Sequence, residues 1–184
     1  SSDLEPQGEF GTGRSRMTEE SLSPAERYAR AKAKAKPPSL ESFLKLLDFG
    51  LDDFQEQACL ALAKGKGVLV AAPTGAGKTV IGEFAIHLAI EQQLKVFYTT
   101  PIKALSNQKY AELVKRYGED RVGLLTGDTN NNSDAQIVVM TTEVLRNMIY
   151  ARSPGLRDLA VVVLDEVHFL QDAYRGPVWE EVII

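Results

Sequence analysis

The chain has 184 residues, enough for one sizeable hydrophobic core and short for two. Its 44% hydrophobic and 25% charged content is that of a globular protein and excludes disorder along the whole length. A formal net charge of −4 excludes a surface that attracts polyanions everywhere, so a nucleic-acid partner has to be held by a local site.

Residues 1–16, SSDLEPQGEFGTGRSR, show no periodicity and read as a scar of expression cloning. Within residues 17–38, the stretch SPAERYARAKAKAKPP offers Ser23 as a cap, Pro24 at the first helical position and alternating alanines and bases up to Pro37-Pro38. That pattern predicts a short basic helix or linker. The domain proper is expected over residues 39–184. SLESFLKLLDFG places Leu40, Phe43, Leu44 and Leu47 on one stripe behind a Ser39 cap, with Gly50 following. DDFQEQACLALAKGKG repeats the logic, with Asp52 or Asp53 as cap and Gly65 as stop.

Five apolar runs then recur: GVLVAA, KVFYTT, RVGLLT, QIVVMTT and LAVVVLDE. They are continuous rather than alternating, as strands covered on both faces should be. Most are followed by helical patterns, so the fold class is α/β, with a parallel sheet and right-handed crossovers. Their C-terminal ends gather hydroxyls and acids: Pro73-Thr74, Thr99-Thr100-Pro101, Thr126-Gly127-Asp128, Thr141-Thr142-Glu143 and Asp165-Glu166. Open parallel sheets bind ligands at that edge. Two ends suffice for a nucleotide, which leaves three over.

Cys59 is the one cysteine, without a companion for a disulfide or a zinc site, and a reduced, cytoplasmic setting fits it. No apolar run approaches the roughly 18 residues of a membrane span, and no leader pattern is visible at the start.

The stretch Ala72-Pro73-Thr74-Gly75-Ala76-Gly77-Lys78-Thr79 lies between an apolar run and a helical pattern. Gly75 and Gly77 allow the backbone to turn its N–H groups toward phosphate oxygens, Lys78 reaches the outer phosphates, and Thr79 offers a hydroxyl to Mg²⁺. The general pattern opens with Gly where this chain has Ala72. Further on, VVVLDEVHF ends an apolar run in Asp165, placed to hold the hydration shell of Mg²⁺, while Glu166 can polarise a water toward the outer phosphate. His87 and His168 are the two histidines; without a His-Glu-x-x-His pattern, zinc is not expected, and His87 reads as an ordinary helix residue.

In this order the signals resemble the superfamily-two helicases, and within them the Ski-like branch with its DEVH box. DDFQEQA looks like the Q motif, AAPTGAGKT motif I, TTPIKALSNQKY motif Ia, GLLTGD motif Ib, MTTEVLRNMI the next nucleic-acid motif, and VVLDEVHFLQD with RGPVWEEVI motif II. Helicases of this type often open motif I with Ala, which accommodates Ala72. The resemblance covers roughly residues 40–184 and implies a RecA-like P-loop domain: a mostly parallel sheet with helices on both faces. It implies ATP and Mg²⁺ as cofactors, with Gln55 on the adenine edge, Phe49 against the ring, and Pro73 through Thr79 around the phosphates. His168 would link the nucleotide to a second RecA-like domain. Thr100, Pro101, Lys103, Thr126, Gly127, Thr141 and Thr142 would grip the backbone of single-stranded RNA or DNA from strand-to-helix junctions.

The sequence ends at Ile184, soon after motif II, so a fragment is expected, able to bind nucleotide but with little or no turnover or unwinding by itself. Two other readings stand beside the motor domain: a nucleotide- or nucleic-acid-binding module without motor activity, and another P-loop enzyme such as a small-molecule kinase or GTPase. No Asn-Lys-x-Asp guanine reader is present, and the three spare strand ends exceed what a kinase needs.

Overall fold

The computed structural model describes residues 36–173 and 175–183. The expectations for residues 1–16, and nearly all of those for 17–38, lie outside the described residues.

Two short helices open the domain, α1 (Pro38–Leu44) and α2 (Asp53–Ala63). α1 starts one residue before the expected Ser39 cap, because Pro37 sits at the N-cap position and Pro38 at the first helical one, where a fixed φ suits the turn. It closes at Leu44, short of Leu47. α2 begins after Asp52 as expected, and Gly65 follows its end at φ 72°. Next come α3 (Thr79–Glu91), β1 (Lys95–Thr100) and α4 (Lys103–Tyr117). Then follow β2 (Val122–Leu125), β3 (Asn130–Asn131), β4 (Ile137–Thr141), α5 (Thr142–Tyr150), β5 (Leu159–Leu164) and α6 (Gly176–Ile183).

The sheet runs β3-β2-β4-β1-β5, parallel throughout except for the β2/β3 hairpin. Strand alternation sorts side chains to two faces. Val96, Tyr98, Val122, Leu124, Ile137 and Val139 meet Ile86 and Ala89 of α3 and Leu113 of α4. On α4 the contact residues Tyr110, Leu113, Val114 and Tyr117 fall at helical spacing, which explains why so polar a helix docks. The opposite face presents Phe97, Val138 and Met140 to Leu145 of α5 and Val182 of α6. Helices therefore cover both faces.

α3 is apolar nearly all round because it is buried on two sides. Its Val80, Ile81, Phe84 and Leu88 turn away from the sheet to a further layer with Leu40 and Phe43 of α1 and Ala58 and Cys59 of α2. His87 is more than a passive helix residue: its Nε2 lies 2.8 Å from Ser42 Oγ, and its ring packs on Phe43 and Phe84, joining α1 to α3.

Two expectations are corrected. GVLVAA, residues 67–72, forms no ladder with the described strands. Val68 and Val70 pack into the α1–α2–α3 layer while Leu69 is 81% exposed, a strand-like alternation without a hydrogen-bonded neighbour. β5 correspondingly keeps one free edge among the described residues, with Val162 exposed. Second, Thr126-Gly127 does not lead into a helix. Thr126 and Thr129 exchange backbone hydrogen bonds of 2.8 and 3.4 Å across a turn into β3, because Gly127-Asp128 is turn chemistry.

Candidate functional site

Strand register assembles the expected edge. Thr100 pairs with Thr141, Thr99 with Leu164, and Leu125 with Met140, so the ends of β1, β4, β5 and β2 lie side by side. The backbone continues that alignment past β5, where the Asp165 N–H donates to Thr99 O at 3.0 Å. α3 reaches the same edge: the Cβ position of Gly82 lies 3.4 Å from Val163 Cγ1 and 3.5 Å from the Tyr98 ring, which brings the start of α3 over β1 and β5.

The loop before α3 is largely exposed, and Gly75 and Gly77 adopt φ of 84° and 74°, a region that side-chain-bearing residues seldom enter. Lys78 Nζ donates to Ala72 O at 2.7 Å and Pro73 O at 2.8 Å, so the ammonium bridges the loop's own entry. Gln55 braces the other side. It is 5% exposed; its Oε1 accepts from Asp52 N at 2.8 Å, and its Nε2 donates to Ala76 O at 3.3 Å and Gly77 O at 3.1 Å. A Cβ on Gly77 would stand 2.6 Å from that Nε2, so the glycine is needed for the contact as well as for the turn. Beside it opens a cleft of about 450 Å³ lined by Phe49, Gln55, Gly77, Thr79, Glu83 and Arg116, among others. Phe49 is 58% exposed at its rim, and Arg116 pairs with Glu83.

At the end of β5, Asp165 is half-buried and Glu166 exposed, with Glu166 at φ 58°, a strained conformation for a residue with a side chain. His168 Nδ1 lies 3.1 Å from Glu166 Oε2. Each Asp165 oxygen accepts one hydrogen bond: Oδ2 from the Tyr98 hydroxyl at 2.7 Å, Oδ1 from the Glu166 N–H at 2.9 Å. A carboxylate has about four lone-pair directions, so both oxygens retain one for a hydrated ion. Mg²⁺ is held by one or two protein oxygens plus waters and phosphates, and a single half-exposed carboxylate with a helix-start hydroxyl, Thr79, fits that demand. Burial, with Asp165 beside it, holds the Tyr98 phenol well above its ordinary value and so keeps it a donor.

The remaining strand ends are built differently. The Thr100 hydroxyl lies 2.7 Å from Ser106 Oγ, that of Thr142 donates to Thr100 O at 3.3 Å, and that of Thr126 donates to Asp128 Oδ1 at 3.0 Å. All three threonines are buried. Thr141 and Pro101 are half-exposed, Gly127 is exposed, and exposed Lys103 pairs with Asp128, whose carboxyl the lysine holds below the usual range. Sequence reasoning missed Tyr98, Glu83 and Arg116. The one hydroxyl-bearing ring within KVFYTT was a visible signal for Tyr98; the other two meet only through the fold.

The chain matches the DEAD/DEAH box helicase family over residues 52–184 and belongs to it. It is 66% identical over 145 residues to the probable helicase HelY of Mycobacterium tuberculosis, which covers 79% of this chain and 16% of that protein. To the antiviral helicase SKI2 of Saccharomyces cerevisiae it is 49% identical over 136 residues, 74% of this chain and 11% of the relative. The chain thus spans about a sixth or less of these relatives. Its fold resembles that of the DUF1998 helicase MrfA bound to DNA and AMPPNP, with a TM-score of 0.63 at 22% identity over 80% of this chain and 24% of that one. The RecA-like fold and the Ski-like branch expected from the motifs both stand. No helix of the described residues is long and apolar enough to cross a membrane.

Proposed function

We propose that the chain is the nucleotide-binding motor domain of an ATP-dependent helicase, working in the cytoplasm on the backbone of single-stranded RNA or DNA. The observation that carries this reading is the packing of α3, which starts directly after the Gly-rich loop, on β1 and on β5, the strand that runs into Asp165 and Glu166, through Gly82 against Tyr98 and Val163. Phe49 and Gln55 flank the cleft for adenine; both Gln55 N–H groups are engaged by Ala76 O and Gly77 O, and its Oε1 keeps one lone pair beyond the Asp52 N–H to offer the base edge. Lys78 exchanges two loop carbonyls for phosphate oxygens, a charge-assisted replacement that favours the bound form. Thr79 and Asp165 hold Mg²⁺, which neutralises charge on the outer phosphates. Glu166 orients the attacking water, and His168, in contact with Glu166, faces a second RecA-like domain.

Lys103, Thr141, Pro101 and Gly127, with backbone N–H groups at the starts of α4 and α5, form the strand-gripping surface, while the hydroxyls of Thr100, Thr126 and Thr142 shape its junctions from inside. The transition state of phosphoryl transfer calls for positive charge from the second domain, so the 184 residues alone bind nucleotide with little or no turnover. The deciding experiment is ATP hydrolysis by the longer parent protein, alone and with single-stranded RNA or DNA, with Glu166→Gln as blank. Stimulation by one strand type establishes the motor and names its track; none by either moves the weight to a binding module or another P-loop ATPase.

A further inference from the structure

We propose that Tyr98 is a positioning residue for Asp165, its hydroxyl fixing the direction in which that carboxylate meets Mg²⁺; the inference rests on the nucleotide reading above. The phenol is 2% exposed on β1 and donates to Asp165 Oδ2 at 2.7 Å. Its ring is set by rigid neighbours. The backbone of Gly82 of α3 lies against it, with the Cβ position 3.5 Å from the ring, and Lys109 of α4 lies 5.4 Å from its centroid while bonding to Glu112. Phenylalanine would fill the same volume, so the hydroxyl adds nothing to burial and serves only its hydrogen bond.

The backbone around Asp165 is already fixed by other bonds. Asp165 N donates to Thr99 O, and Thr99 Oγ1 donates to Val163 O at 3.2 Å. What those bonds leave free are the torsions of the Asp165 side chain. The Glu166 N–H tethers one oxygen at 2.9 Å, and Tyr98 tethers the other, so the two together stop rotation of the carboxylate plane. Partners of this kind, one bond behind a metal-holding oxygen, tune metal affinity by about 10-fold or more.

The test is binding of a fluorescent ATP analogue to the 184-residue chain, first in EDTA and then across a Mg²⁺ titration. Tyr98→Phe is expected to raise the half-saturating Mg²⁺ concentration about 10-fold. Affinity in EDTA stays that of the wild type, and in an Asp165→Asn background Tyr98→Phe adds no further shift. The midpoint is read from molecules that bind, so partial loss of folding leaves it unchanged. A wild-type midpoint in Tyr98→Phe overturns the inference, as does an equal shift in the Asp165→Asn background, which would assign the effect to packing. Wild-type protein that binds no nucleotide, or binds it without regard to Mg²⁺, overturns the nucleotide reading and the inference with it.

Discussion

The loop before α3 and the threonine ends of β1, β2 and β4 share one edge of the sheet and treat their polar groups in opposite ways. In the loop, Pro73, Thr74, Gly75 and Gly77 are exposed and Lys78 rests on two carbonyls it can leave. At the threonine ends the hydroxyls of Thr100, Thr126 and Thr142 are committed inside the protein. The same small hydroxyl residues are thus left open to solvent in one place and used as joinery in the other. Burial separates the two roles, since a buried hydroxyl has to keep its partner while an exposed one can exchange it for water or ligand.

Lys78→Ala should break the loop side outright. Loss of a charge-assisted phosphate contact worth about 3 kcal/mol lowers nucleotide affinity roughly 100-fold, measured by analogue fluorescence, with the melting temperature little changed. Glu166→Gln separates binding from chemistry: in the longer parent, hydrolysis should fall by about 100-fold or more while nucleotide affinity holds. On the threonine side, Lys103→Ala should weaken binding of single strands and flatten the log–log salt dependence by about 0.7, the contribution of one phosphate. Thr142→Val tests the contrast directly: it should lower stability by about 1 kcal/mol in a denaturant melt and leave strand affinity alone, because its hydroxyl bonds Thr100 O.

A last effect, silent at neutral pH, is on pH dependence. Burial, with Glu56 adding to it, pushes the Cys59 thiol up to about 12 from an ordinary 9.0. The folded chain therefore keeps its proton where the unfolded chain loses it, and stability that is full below pH 9 declines progressively toward pH 12. Comparison with Cys59→Ala isolates that slope, and the native thiol should resist labelling at pH 8.

Much of this was legible in the sequence because it rests on local pattern. The continuous Val/Ile runs announced covered strands, and the order of glycines, Lys78 and Thr79 announced the loop. What escaped depends on neighbours distant in the chain. GVLVAA has strand composition, yet a ladder requires a partner that composition cannot name. Gly127-Asp128 carries hairpin chemistry that a strand-then-helix rhythm concealed. Gln55 reads as a base-facing amide, and only the fold reveals that it also ties α2 to the loop. Whether Thr100 and Thr142 face ligand or core is likewise set by helix docking, which no spacing rule contains.

The free edge of β5 also governs how the chain behaves in a tube. Unpaired among the described residues, its edge N–H and C=O groups, with exposed Val162, form a template for strand addition by another copy, and Leu69 at 81% exposure adds stickiness elsewhere on the same domain. A net charge of −4 supplies modest repulsion against such pairing. Light scattering should therefore report growth of assemblies as concentration rises, with a lysine in place of Val162 delaying it.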